Sequence, residues 1–299
     1  MRQHQTTCNF KGNESWVILS PIEQSIKNKI ESVGTPLKDW DINIYRGVLT
    51  GCNEAFIIST EKRNEILNNC TTKEERQRTE ELIRPILRGR DIKRYGYEWA
   101  ELYLIATFPS RHYDIDEYPA VKQHLLSFGI ERLEQTGKKY TINGQQVTAR
   151  KKTNNKWFET QDSISYWEDF LKPKIIFQEI VQSSQFLYDN ETHFMCNDTG
   201  RIIVGNHLPF ILGILNSKLF FYAVKKFYGG GVLGEHGIRM KHTFFCNFPC
   251  LPYNEQIENE AKKLTEVFSD IVADRMDDYI FSSYFLTKEE ICEIQNETM

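Results

Sequence analysis

The side chains in this sequence with the clearest chemistry are cations. Between Gln135 and Phe158 lie Lys138, Lys139, Arg150, Lys151, Lys152 and Lys156, with no acidic residue among them. The chain as a whole carries a formal charge of -4, so this positive run is a local feature. Clustered ammonium and guanidinium groups neutralise phosphates and release counterions when they meet a polyanion; a solvated charged loop is the plainer reading. The interleaved amides Gln145, Gln146, Asn154 and Asn155 carry the paired donor and acceptor that match an adenine edge. Trp157 and Phe158, being large and aromatic, are expected to anchor the segment in the core.

Further positive or amide-bearing stretches follow the same logic. "RPILRGRDIKRYGY" sets Arg84, Arg88, Arg90, Lys93 and Arg94 around Gly89. This is either a positive edge for a phosphate backbone or a set of internal ion pairs, with Arg88 or Arg90 bound to Asp91 and Glu81. In "FQEIVQSSQ", Gln178, Gln182 and Ser183 project from the end of an apolar run, toward a groove or as satisfied edge amides. The glycine segment from Gly229 to Gly234 carries Glu235 and His236 and leads to Arg239, Lys241 and His242. In a duplex groove Arg239 fits guanine and Glu235 the cytosine amino group. No carboxylate, histidine and nucleophile can be assembled into a catalytic set, so no catalytic residue is assigned.

Other chemistry lacks its signature. Cysteines at 8, 52, 70, 196, 246, 250 and 292 form no Cys-x-x-Cys pair, and no metal site is assigned; reduced, mostly buried thiols are expected. Gly229, Gly231 and Gly234 spell G-x-G-x-x-G, but a dinucleotide loop follows a strand and opens a helix, whereas this one follows "FFYAVKKFY". Neither a Gly-Lys-Ser/Thr phosphate loop nor a convincing nuclease set of the PD...(D/E)xK kind is present.

The elements that must position these residues can be read from periodicity. "PIEQSIKNKIESVG" reads as a helix with Ile22, Ile26 and Ile30 on one face. "WDINIYRGVLTGCNEAFII" reads as strand, turn and strand about Thr50-Gly51-Cys52-Asn53, with Gly51 or Asn53 at positive φ. A charged helix ending near Pro85, the strand "ELYLIATF", a helix from Pro119 to Gly137, the basic loop and the strand "KPKIIFQEIV" follow. Then come a hairpin turning at Asp189-Asn190, an apolar helix over "LPFILGILNSKLFFYAVKKFY", and the glycine loop with a short strand. From Tyr253 onward twelve acidic residues face four basic ones, so this end carries -8 and the preceding 252 residues +4. Ile257, Ala261, Leu264, Val267, Phe268 and Ile271 make that end an exposed amphipathic helix in this reading. Without strict βαβ alternation the fold class is α+β, a mixed and mainly antiparallel sheet with flanking helices.

Six segments in collinear order, "YRGVLTGCNEAFII", "IRPILRGRDIKRY", "YPAVKQHLLSF...RLEQ", "KWFET", "KPKIIFQEI" and "ILGILNSKLFFYAVKKF", resemble the TaqI-like specificity domain, the target-recognition domain of adenine-N6 DNA methyltransferases and type IIG restriction-modification enzymes. The resemblance runs from about Trp40 to Pro252. It implies a module that reads double-stranded DNA at a short sequence and positions it for a separate catalytic domain. The expected partners are N-terminal methyltransferase or nuclease domains, and S-adenosylmethionine is expected on the catalytic partner, with no cofactor bound by this chain. The chain itself lacks the Asp/Asn/Ser-Pro-Pro-aromatic loop of an amino-methyltransferase; Asn247-Phe248-Pro249-Cys250 has Phe where proline is required. The division that follows is a linker helix over 1–39, the recognition domain over 40–252 and an acidic helical extension over 253–299. An RNA-binding or protein-interaction domain, or a self-contained small-molecule enzyme, are the alternatives. With no membrane-length apolar run and no apolar segment in "MRQHQTTCNF", a cytoplasmic location without membrane contact is expected.

Overall fold

The computed structural model describes residues 19–229, 232–233 and 237–298. Two four-stranded sheets organise them. In the first, Lys174–Gln178 runs between Phe186–Asp189 and Gly200–Gly205, and Ile42–Arg46 pairs with the far side of Gly200–Gly205; every pair is antiparallel. In the second, Ile83–Leu87 and Leu102–Ile105 form the antiparallel middle, with Ile57–Ser59 antiparallel on one edge and Met195–Cys196 parallel on the other. The fold is the expected α+β type with mainly antiparallel sheets.

The strand Lys174–Gln178 explains why its sequence is almost continuously apolar. Alternate side chains of a strand point to opposite faces. Ile175 and Phe177, with Ile203 beside them, enter one core, whereas Ile176, Ile202 and Val204 enter a second. The first sheet is therefore a partition with apolar packing on both sides. The second core also takes in the second sheet and the helix Pro119–Leu126.

The first core holds helices from both ends of the chain. Pro21–Val33, started by Ser20 with a reciprocal bond from Glu23, contributes Ile26 and Ile30. Glu255–Glu266, Asp270–Ser283 and Lys288–Thr298 contribute Ile257, Ala261, Leu264, Met276, Ile280, Phe281 and Ile294. The core thus runs continuously across residues 39/40 and 252/253. Val267 and Ile271, grouped with the buried face by helical spacing, are instead 76% and 80% exposed, because the first of these helices stops at Glu266.

Several expected elements differ in the structure for local reasons. The apolar helix breaks into Leu208–Leu215 and Lys218–Ala223, bent by 63° between Leu208–Leu215 and the segment running on to Tyr228. Ser217 caps the second piece by accepting the Phe220 N–H, and Asn216 exchanges hydrogen bonds with the Phe186 backbone, pinning the bend to the sheet. Among the described residues no single helix is long and apolar enough to cross a membrane, and every residue of Leu208–Leu215 is buried. The helix expected to run from Pro119 to Gly137 stops at Leu126 and resumes as a turn at Ile130–Leu133, after Gly129 at φ +85°. The chain does turn after Asp189, but the two arms join different sheets instead of forming a hairpin. The buried Asp189 carboxylate accepts N–H groups of Thr192, His193 and Phe194 and pairs with Lys174 at 2.7 Å, which redirects the chain toward the second sheet.

Asp277 couples the C-terminal helices to the rest. Its carboxylate accepts the Lys218 N–H at 2.9 Å and lies 3.6 Å from the Arg94 guanidinium. Burial pushes its pKa up to about 6, a rise that the Lys218 N–H and Arg94 only partly counter. The folded protein holds a proton there that the unfolded chain releases near pH ~4. Stability from this group is therefore present in acid and is lost as pH rises from ~4 to ~6. Asp277→Asn should flatten that part of the pH–stability curve, measured as urea midpoints between pH 4 and 7; an unchanged slope would assign the effect elsewhere.

Candidate nucleic-acid interface

The basic segment is a hairpin, not a loop. Lys139–Ile142 pairs with Gln145–Thr148 around Asn143-Gly144, both at positive φ. An Asn-Gly pair between two strands is the preferred two-residue turn, and that signal was present in "INGQ". Tyr140, Ile142 and Val147 are partly covered, while Lys139, Thr141, Gln145, Gln146 and Thr148 are exposed. The stem continues below the strands: Ala149 N–H donates to Lys138 O and Gly137 N–H to Arg150 O. Lys138, Lys139, Lys151 and Lys152 therefore leave the two sides of one stem, with Asn154 and Lys156 exposed in the segment that follows. None of these five lysines forms an ion pair with a described residue.

Arg150 does not belong with them. It is 4% exposed, and its guanidinium donates to the backbone oxygens of Leu133, Thr50, Glu159 and Trp157 at 2.7–2.8 Å while lying over the Phe56 ring. Burial pulls its pKa down to about 10, still charged at neutral pH. The expected phosphate contact is corrected to a structural clamp. Asn155 is likewise engaged, its amide donating to Thr160 O and Gln161 O. Phe158 is buried, as an anchor.

The Arg150 clamp places the stem against the turn after Thr50. Gly51, at φ +74°, has Gln161 and Arg150 where a Cβ would stand, so only glycine fits there. Past that turn, Asn53 and Glu54 line one wall of an open groove of ≈ 500 Å³. Its other walls are Arg88, Gly89 and Arg90 from the end of Ile83–Leu87, Gln178 from the end of the central strand, and Asn197 and Thr199. Gly89 is needed for this arrangement, since a Cβ there would lie 2.6–2.9 Å from the Gln178 side chain. Asn53 Oδ1 accepts the Thr50 hydroxyl, leaving its NH2 as a donor.

The sequence-derived cations divide here into bound and available groups. Arg88 is held by Asp91 through three contacts of 2.7–3.2 Å, the internal pairing that the sequence left open, while it still lines the groove. Arg90 is exposed at the groove. Arg94 is tied to Asn216 O and Asp277, which corrects its place among surface contacts. Arg239, on Gly237–Arg239 beside Ile180–Val181, is half exposed and paired with Glu179 at 2.8 Å; Glu179 also holds Arg201. Gln182 and Lys241 are exposed near it. Glu235 and His236 lie outside the described residues. Asn53, Glu54, Asn197 and Thr199 were not singled out as groove residues, because sequence places them only in turns.

Residues 84–232 match the family of TaqI-like C-terminal specificity domains. They form a TaqI-like specificity domain. That domain supplies Arg90, Gln178, Asn197, Thr199 and the whole hairpin, while Asn53 and Glu54 precede it. The match confirms the resemblance read from the six segments, over a narrower span. Among solved structures, the specificity domain and its flanking helices are similar to the type IIL restriction-modification enzyme MmeI, whose structure is a complex with DNA: TM-score 0.57, 14% identity, 88% of this chain and 36% of that one. The type IIG restriction endonuclease BpuSI gives a TM-score of 0.49 at 13% identity, over 88% of this chain and 33% of that one. The chain spans about a third of the length of either enzyme. No curated protein sequence matches it.

Proposed function

We propose that this chain reads a short sequence of double-stranded DNA and positions it for a catalytic domain of a restriction-modification enzyme, without catalysis of its own. The observation that carries this reading is one juxtaposition: an open groove lined by Arg90, Gln178, Asn53, Asn197 and Thr199 beside a stem and following segment with five lysines that form no ion pair with a described residue. Lysines without counter-ions repel one another and favour a polyanion, which positions the duplex. Amide and guanidinium groups in a groove discriminate base edges: Gln or Asn toward adenine, Arg toward guanine. S-adenosylmethionine, on this reading, binds the catalytic partner.

The groove assignment has a direct test. Arg90→Ala and Gln178→Ala should each cost about 1–3 kcal/mol on the preferred site and relax selection at one position, with little change on nonspecific duplex. Binding-site selection from a randomised duplex library, with each variant joined to its catalytic partner, measures this. Identical selected sites for both variants and the parent would remove the groove from readout.

A further inference from the structure

A second concavity, by the start of Ile83–Leu87 where the groove lies past its end, combines charge and aromatic surface in a way the DNA reading does not use. It measures ≈ 260 Å³ and is lined by Arg78, Arg84 and Arg111 with Tyr113, Trp167 and a single carboxylate, Glu81. None of the three arginines forms an ion pair with a described residue. Arg84 Nε is buried with no hydrogen-bond partner. Among the described residues Arg78 Nη2 donates only to Glu117 O, at 3.1 Å. Arg111 lies over Trp167, its Cζ 3.9 Å from the ring centroid and 5.6 Å from that of Tyr113.

Leaving a guanidinium nitrogen buried and unpaired costs free energy that folding alone does not recover. A guanidinium held against an indole face is fixed in orientation before any ligand arrives. Three such groups against one carboxylate give the cavity a surplus of positive charge, and the planar fork of arginine matches phosphate oxygens two at a time. One face of Trp167 is covered by Arg111, and the remaining aromatic surface offers a wall against which a base stacks. A cavity of this size takes a small ligand, not a duplex.

We propose that this cavity binds a phosphorylated nucleoside, its phosphate held by Arg84, Arg78 and Arg111 and its base against the Tyr113 and Trp167 wall. The ligand is either a free nucleotide or the 5′-phosphorylated end of a strand, which present the same chemistry. S-adenosylmethionine, whose sulfonium is cationic, does not suit it.

The experiment is a titration of the full chain, followed by calorimetry and by tryptophan fluorescence, with adenosine 5′-monophosphate, inorganic phosphate, adenosine, and a short single strand with or without a 5′-phosphate. Adenosine 5′-monophosphate should bind saturably, at least tenfold more tightly than phosphate or adenosine alone. Arg84→Gln and the exposed Arg111→Gln should each weaken it tenfold or more, and Trp167→Phe should remove most of the fluorescence change. Competition by the 5′-phosphorylated strand, and not by its hydroxyl form, would identify a strand end as the source; its failure to compete would identify a free nucleotide. No saturable binding of either, or full affinity in both arginine variants, overturns the proposal. Because Arg111 lies outside the groove and stem, duplex affinity measured on the same variant separates failure here from failure of the DNA reading.

Discussion

A chain in which Lys138, Lys139, Lys151, Lys152 and Lys156 are all replaced by Gln should bind duplex DNA with a visibly weaker dependence on salt. Each phosphate contact releases about 0.9 counterion, so the slope of log affinity against log salt should flatten by about 0.9 per lysine engaged, and by roughly 4 to 5 if all five engage. At low salt the affinity loss spans orders of magnitude and falls alike on specific and nonspecific duplexes, because phosphates carry no sequence. The fold should be unaffected, since all five side chains are exposed and none is ion-paired to a described residue. An unchanged slope, measured by fluorescence anisotropy across a salt series, would reduce the stem to a solvated surface.

The sixth cation of the same run should behave in the opposite way. Arg150→Ala leaves the carbonyls of Leu133, Thr50 and Trp157 without that donor, in a site where the parent side chain is 4% exposed, while Glu159 O keeps the Gln135 side-chain amide. Each buried acceptor left unsatisfied costs about 1–3 kcal/mol, so a loss above about 3 kcal/mol is expected once partial relaxation is allowed for. Arg150→Lys should recover little, because one ammonium cannot span four carbonyls arranged around a planar fork. Urea unfolding reads the effect directly. A wild-type midpoint with lowered DNA affinity would return Arg150 to the contact surface.

The contrast between these six cations marks where sequence reading stops. Their composition announced a positive segment, but a run of Lys and Arg does not tell which member has backbone carbonyls around it; those come from residues 50, 133, 157 and 159. Arg88 and Arg94 follow the same rule. The partner of Arg88 was three residues away and visible as an option, whereas that of Arg94 was Asp277, far along the chain. The central strand was legible, because an apolar run of that length with β-branched residues has few other uses. The Asn143-Gly144 hairpin was also written in plain turn chemistry, between two short alternating runs. What lay beyond reach was the groove, assembled from Asn53, Arg90, Gln178 and Asn197, whose meeting depends on how two sheets share a chain. The Asp189 carboxylate illustrates the reason: its three N–H donors lie within five residues, yet their effect is to send the chain to another sheet.

The partition strand has a consequence for substitution. Ile175, Ile176 and Phe177 are committed to packing on both sides, and any change there is felt by two cores at once. Gln178 is the first residue past that commitment, half-buried and packed on the backbone of Gly89. Arg90, three residues past Leu87, is exposed, whereas Ile86 and Leu87 are buried completely. Arg90 and Gln178 thus lie outside both cores, although Gly89 and Arg88 beside them do not share that freedom. A scaffold built this way accepts substitution at these strand ends without disturbing either core.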